Sequence, residues 1–175
     1  KPANRHAPAP SGYVRWPVAE APALQVRIVD TNVLIVASAA DAGSPFRAES
    51  TPIEEAALRQ QVLDWLEAFE TDATRHAVLD VDWHVCGEYR HKLTEQDYGW
   101  LAMMHKMDRG EVVWVDVLLD KNGNAVLPPE LAAAVTDLAD RKMVAAALAA
   151  LDAGHATQIT NASDTDWIDC QQALN

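Results

Sequence analysis

The stretch VRIVDTNVLI, residues 26–35, decides the architecture. Val26 to Val29 is a short apolar run with a strand former at most positions, and it ends at Asp30. Thr31 and Asn32 follow, with side chains suited to capping a helix, and Val33, Leu34 and Ile35 begin that helix. Downstream the pattern repeats. Ile53 to Phe69 is helical by period, with Ala57, Leu58, Val62, Trp65, Leu66 and Phe69 on one stripe. Ala77 to Val81 reads as a second buried strand, Trp83 to Leu93 as the helix after it, and Tyr98 to Met107 as another helix. Val112 to Leu119 is β-rich, and Asn122-Gly123 signals a hairpin into Ala125–Leu127. Pro128 and Pro129 open a helical stretch that breaks near Thr136-Asp137. A helix from Ala139 to Leu151 then closes at Gly154. Ala156 to Thr160 is a last strand, followed by a polar loop and a short terminal helix.

Strands alternating with helices predict an α/β fold: a mainly parallel central sheet covered on both faces, hence three layers, with a β-hairpin near residues 112–127. Upstream, residues 1–23 hold Pro2, Pro8, Pro10, Pro17 and Pro22 without apolar periodicity and predict an extended Pro-rich arm. Residues 24–175 then form a single domain, since 175 residues support one sizeable core and leave little room for two. Lys1 in place of an initiator Met implies a trimmed or processed start. No apolar run is long enough to span a bilayer. Cys86 and Cys170 lack disulfide or metal-ligand spacing and predict two reduced thiols in a cytoplasmic protein.

The charge constrains function. Lys1, Arg5 and Arg15 against Glu20 give residues 1–25 a sum of +2, so the net charge of −12 leaves −14 on residues 26–175. Affinity for a polyanion comes largely from Lys and Arg releasing counterions. Such a body argues against a tight stand-alone nucleic-acid-binding module, but not against an enzyme whose positive charge comes from metal or a local patch.

In an open parallel sheet, ligands bind beyond the carboxyl ends of the strands. Asp30 sits at that end of the first strand, and Asp164 and Asp166 lie just past the last one. Asp140 falls in the first turn of the helix leading into the last strand, and Glu88 about two turns into the helix after the second. Four sequence-distant acids can thus meet over one sheet edge. Each close pair of carboxylates repels by roughly 3 kcal/mol at an effective dielectric near 20. A cluster of this kind stays ionised around cations, and hard oxygen donors select magnesium, manganese or calcium. Singly, each acid has a plainer reading, as a helix cap or a solvated side chain.

VDTNVLI (29–35), GEYRHKL (87–93), DRKMVAAAL (140–148) and ITNASDTDW (159–167) together resemble the motifs of PIN domains, in their order and spacing. The first and last look most like a bacterial PIN-like subgroup with an acidic run before a Trp. The resemblance covers about residues 26–168. It implies a sandwiched parallel sheet, an acidic tetrad holding one or two Mg2+ or Mn2+ ions, and hydrolysis of single-stranded RNA, or sometimes DNA, to a 5′-phosphate and a 3′-hydroxyl. Position by position, Asp30, Glu88, Asp140 and Asp164 match the acids, with Asp166 as a fifth candidate ligand, although the spacing from Thr160 puts one extra residue before Asp164. Thr31 or Asn32, and Thr160, match the polar residues surrounding the acids. The family also implies a toxin or defence effector or an RNA-processing enzyme, a protein inhibitor or effector as partner, and homo-oligomers. PIN-like domains add a final strand, for which a chain ending at Asn175 leaves little room.

Arg90, Lys92, Arg141 and Lys142 flank Glu88 and Asp140 and are the candidate phosphate contacts. Lys142 is expected to lie with its stem half buried and its head near the acids. His84, Glu88 and His91 share a helix face and could hold a transition metal, but ordinary histidines beside a catalytic Glu explain them as well. Six tryptophans could stack on bases, Trp100 and Trp167 being the ones to examine, although packing explains most of them. A dehalogenase-like phosphatase would need Asp where Asn32 stands. The remaining rival is a catalytically weak PIN-like module that binds metal and protein.

Overall fold

The computed structural model describes residues 24–163 and Trp167. The Pro-rich arm, the terminal helix, Trp16, Cys170, Asp164 and Asp166 lie outside the described residues. The order is β1 (Gln25–Val29), α1 (Thr31–Ala40), a 3-10 turn (Ala48–Ser50), α2 (Ala56–Thr71), β2 (Arg75–Asp80), α3 (His84–Lys92), α4 (Tyr98–Asp108), β3 (Val112–Val115), α5 (Pro129–Ala134), α6 (Asp140–Asp152) and β4 (Thr157–Thr160). The chain is α/β, as its alternating pattern predicts.

The four strands form one sheet in the order β3-β2-β1-β4, and every pairing is parallel. That order has a consequence. From β1 to β2 to β3 the chain steps one way across the sheet, and from β3 it returns past β1 to β4. Right-handed crossovers then put α1 to α4 on one face and α5 and α6 on the other, an arrangement compatible with a three-layer sandwich. The packing follows this division: α1, α2 and α4 lie against one another, while α6 lies across all four strands. The strand order reverses between β1 and β4, so the crevice between their carboxyl ends is the topological switch point.

Six consecutive residues of α1, Val33 to Ser38, are buried, which is why this helix reads as a continuous apolar run rather than a stripe. The polar member is satisfied twice. Ser38 Oγ donates to the Leu34 carbonyl at 2.7 Å and accepts the Gly99 N–H at 2.9 Å. Gly99 is obligatory there, because a Cβ would sit 2.5 Å from the Leu34 carbonyl oxygen.

Two expectations change. The strand expected over Val112–Leu119 ends at Val115. The hairpin beyond it is reduced to a single antiparallel bridge, Leu119 to Ala125, around a turn in which Asp120 accepts the Asn122 and Asn124 N–H groups and Gly123 takes φ 83°. Val117, Ala125 and Leu127 are buried while Leu118 and Val126 are exposed. The apolar residues thus alternate between buried and exposed, but beyond Val115 the segment folds over the core instead of extending the sheet. The second change concerns α1. It begins at Thr31 with Asp30 in the cap position, so neither Thr31 nor Asn32 is the cap.

Candidate functional site

Asp30 leaves β1 with extended backbone (φ −64°, ψ 147°) and is only 3% exposed. Its N–H donates to the Thr160 carbonyl at 2.9 Å, which joins the ends of β1 and β4 at the switch point. Its carbonyl accepts the Val33 N–H at 3.0 Å. Its carboxylate does not cap α1, although an Asp at this position commonly would. Instead Oδ2 accepts the Trp167 indole N–H at 3.3 Å. Asp30 lines a cavity of ~140 Å3 together with Thr31, Asn32, Glu88, Lys92 and Asp140, and Ile35 and Met143 supply its apolar wall.

Three elements deliver the three acids. β1 brings Asp30 to the crevice, and Asp140 is the first residue of α6. Glu88 is the fifth residue of α3, about one turn into the helix and not two. Two groups aim α3. Trp83 takes the left-handed conformation (φ 65°), which costs a large side chain about 1–3 kcal/mol and turns the chain sharply after β2. Asp80, 1% exposed, then accepts the N–H groups of His84 and Val85 at 2.8 and 2.7 Å, satisfying the first donors of α3. The far side of the helix is pinned by Tyr89, whose hydroxyl donates to the Val29 carbonyl at 2.6 Å, one residue before Asp30. Burial, and then the nearby thiol of Cys86 and the carboxyls of Asp30 and Asp80, push the Tyr89 phenol well above its usual range, so it stays a donor. Asp80 and Tyr89 were not anticipated, although a second strand-end Asp was visible in the sequence.

Glu88 is held on both oxygens. Lys142 Nζ donates to Oε1, and His91 Nδ1 lies 3.5 Å from Oε2. The Lys142 head thus lies beside one of the acids, Glu88. His84, Glu88 and His91 do not form a metal site, and among the described residues no three His, Cys, Asp or Glu side chains are gathered tightly enough to grip an ion between them. Asp30, Glu88 and Asp140 share a cavity but stand around it. Of the polar residues, Thr31 and Asn32 face this cavity and Thr160 lies on its neighbour.

The four basic candidates separate. Arg141 is bound to the fold, its guanidinium donating to the Val135 and Ala132 carbonyls at 2.9 and 2.7 Å. Arg90 pairs with Glu95 at 3.0 Å and lies over the Trp100 ring at 5.3 Å. Lys142 is taken by Glu88, and Lys92 is an exposed cation on the cavity. The tryptophans also sort differently from expectation. Trp100 and Trp167 are buried, whereas Trp83 and Trp114 are 44% and 45% exposed with ring centroids 6.5 Å apart.

No helix among the described residues is long and apolar enough to cross a membrane. No family model, curated protein or solved structure matches the chain.

Proposed function

We propose that this chain is a PIN-like, metal-dependent nuclease that hydrolyses phosphodiester bonds in single-stranded RNA. One observation carries the reading. Asp30 is buried at the cap position of α1 without capping it, and it faces the same cavity as Glu88 and Asp140, at the reversal of the strand order. The motif resemblance supplies the reaction, and the donor chemistry agrees with it. Carboxylates with Thr31 and Asn32 around ~140 Å3 form a hard oxygen set that suits Mg2+ or Mn2+. Asp30, Glu88 and Asp140 would hold the ion, with Asp164 or Asp166 completing the set. When bound, a divalent ion lowers the pKa of water and stabilises charge on the phosphoryl oxygens.

The chain's own residues do the rest. Ile35 and Met143 keep one wall of the cavity dry, which strengthens each charge interaction within it. Lys142 holds the Glu88 carboxylate in place, and Lys92 at the cavity contacts a phosphate on the substrate strand. The function is cytoplasmic RNA processing, defence or a toxin activity kept in check by a protein inhibitor. The test is cleavage of a single-stranded RNA with Mg2+ or Mn2+: wild type cuts it, and Asp30→Asn does not.

A second reading has its own support. Lys142 neutralises Glu88, and −14 falls on residues 26–175. Both features suit a catalytically weak module that binds metal and a protein partner. Under that reading wild type binds Mn2+ yet leaves RNA intact in the same assay.

A further inference from the structure

A second cavity opens beside the acidic one, and it has a different character. It measures ~270 Å3, about twice the ~140 Å3 of the acidic one. Val33 of α1, Val62 and Trp65 of α2, and Ile53 ahead of α2 form its apolar walls, and Gln61 and Asn161 are polar residues on its lining, the Asn161 Oδ1 accepting the Ser163 N–H at 3.1 Å. Among the described residues no charged side chain lines it. The indole of Trp65 is held in place by stacking on Phe69, with centroids 5.3 Å apart and planes within 9°.

The two cavities share a wall. Thr31 and Asn32 face the acidic cavity and Val33 faces the apolar one, so the first turn of α1 divides them. On the β4 side, Thr160 lines the apolar cavity and its carbonyl holds the Asp30 N–H at 2.9 Å. The switch-point crevice therefore carries an acidic half and a neutral half in contact. Among the described residues the neutral half offers no cation to a charged phosphate, and burying one there unpaired would be prohibitive. A flat, uncharged, hydrogen-bonding group fits: apolar walls take its faces, and the Gln61 amide offers both a donor and an acceptor to its edge.

We infer that the apolar cavity is a nucleobase subsite, which receives one base of the strand whose phosphodiester lies at Asp30, Glu88 and Asp140. This rests on the nuclease reading for the identity of the strand, but not on catalysis. Splaying a base away from its backbone into an apolar slot is the common way proteins read single strands, and a duplex cannot present a base in this way. The Gln61 amide then discriminates among bases, while the apolar walls set affinity.

The test measures binding apart from cleavage. Oligouridylate, oligoadenylate and an abasic sugar-phosphate oligomer of equal length are titrated against the full chain with calcium as the divalent ion, and each oligomer is checked for integrity afterwards. Leu58 lines the cavity but is 43% exposed, so Leu58→Trp fills the space without opening the core. The subsite requires Leu58→Trp to weaken the base-bearing oligomers about tenfold and to leave the abasic one unchanged. Gln61→Ala, on an exposed position of α2, is expected to shift the ratio of adenylate to uridylate affinity by about threefold or more. Equal loss for abasic and base-bearing oligomers, or no loss in either variant, overturns the subsite. So does occupation of the cavity by an apolar peptide that oligonucleotides fail to displace. Base-dependent binding by a chain that never cleaves RNA would uphold the subsite and sink the nuclease reading. Cleavage with base-independent binding would do the reverse.

Discussion

Asp30 and Asp80 occupy equivalent places and have opposite uses. Both end a buried parallel strand, both precede a helix, and both are almost inaccessible to water. Asp80 spends its two oxygens on the first N–H groups of α3. Asp30 leaves the start of α1 without a side-chain cap and turns its carboxylate to a cavity that two other acids share. A buried carboxylate that serves a helix terminus is a structural device, since the helix dipole and two hydrogen bonds offset its burial. Asp30 stands at the cap itself, where Asp80 reaches α3 from three residues before its cap, and in forgoing that service it gives up about 1 kcal/mol of local stability. Departures of this kind are expected at functional positions, and this one is what nominates Asp30.

The comparison can be broken by exchanging the expected outcomes. Asp30→Asn keeps the shape and removes a charge, so metal-dependent RNA cleavage should fall at least ~100-fold, while metal-free stability moves by less than about 1 kcal/mol. Asp80→Ala should do the opposite to the fold. It strips two buried N–H groups of a charged acceptor, and urea unfolding should show a loss of about 2–4 kcal/mol. Were Asp30→Asn the destabilising variant and Asp80→Ala the innocuous one, Asp30 would be a scaffold residue and the candidate site would lose its centre.

The same contrast governs metal. A divalent ion bound only by the native state stabilises it by about 2.7 kcal/mol at a hundredfold excess over its dissociation constant. Thermal unfolding of wild type should shift upward with Mn2+, and Asp30→Asn should lose most of that shift. Asp80→Asn should retain it, on a lower baseline. An unfolding temperature indifferent to Mn2+ in wild type would tell against any metal among Asp30, Glu88 and Asp140.

Sequence reading reached the acids more easily than their surroundings, and the reason is physical. Strand-end position is legible because Val26–Val29 and Ala77–Val81 are apolar runs of strand length, and a break in such a run is visible without a structure. Asp140 was found through Gly154 and the helix it closes. What a carboxylate binds is another matter. Asp30 and Asp80 look alike in sequence, and only the left-handed turn at Trp83 brings the His84 and Val85 N–H groups back to Asp80. The fate of Arg141 depends on carbonyls of α5 and its C-cap, contacts that no periodicity encodes. The exposure of Trp83 and Trp114, against the burial of Trp100, likewise follows from where α3 and the edge strand β3 end, which spacing alone does not locate.

Away from the candidate site, at the opposite end of the sheet, charges are fully engaged. Lys106, with no exposed surface, donates to the Asp72 and Arg75 carbonyls and to Glu111 at 2.7–2.8 Å. Burial raises the Glu111 carboxyl, but hydrogen bonds from Lys106 and Arg109 outweigh it and hold Glu111 below its ordinary 4.5. Glu70 is likewise raised by burial and lowered further by Tyr98 and His105. A depressed carboxyl contributes stability that is complete above its unfolded value and disappears as pH falls through the folded one. Acid unfolding should therefore begin below about pH 4.5 and be displaced upward in Glu111→Gln.

The smallest expected effect concerns phosphate contacts. Each contact on a single strand contributes about −0.7 to the slope of log affinity against log salt. Arg141 and Arg90 are committed to carbonyls and to Glu95 with Trp100, so removing either should weaken the fold before it weakens binding. Lys92 is the exposed cation on the acidic cavity, and Lys92→Ala should reduce the slope by about 0.7 with little change in stability. Lys142→Ala is expected to act differently, because it releases Glu88 from its ion pair. Its slope should fall by no more than Lys92→Ala, while its affinity for Mn2+ rises, since a carboxylate without a competing ammonium binds cations better. A total slope for wild type steeper than about −5 would require a basic surface that Lys92 and Lys142 cannot supply, and would move the search for the strand's path away from this cavity.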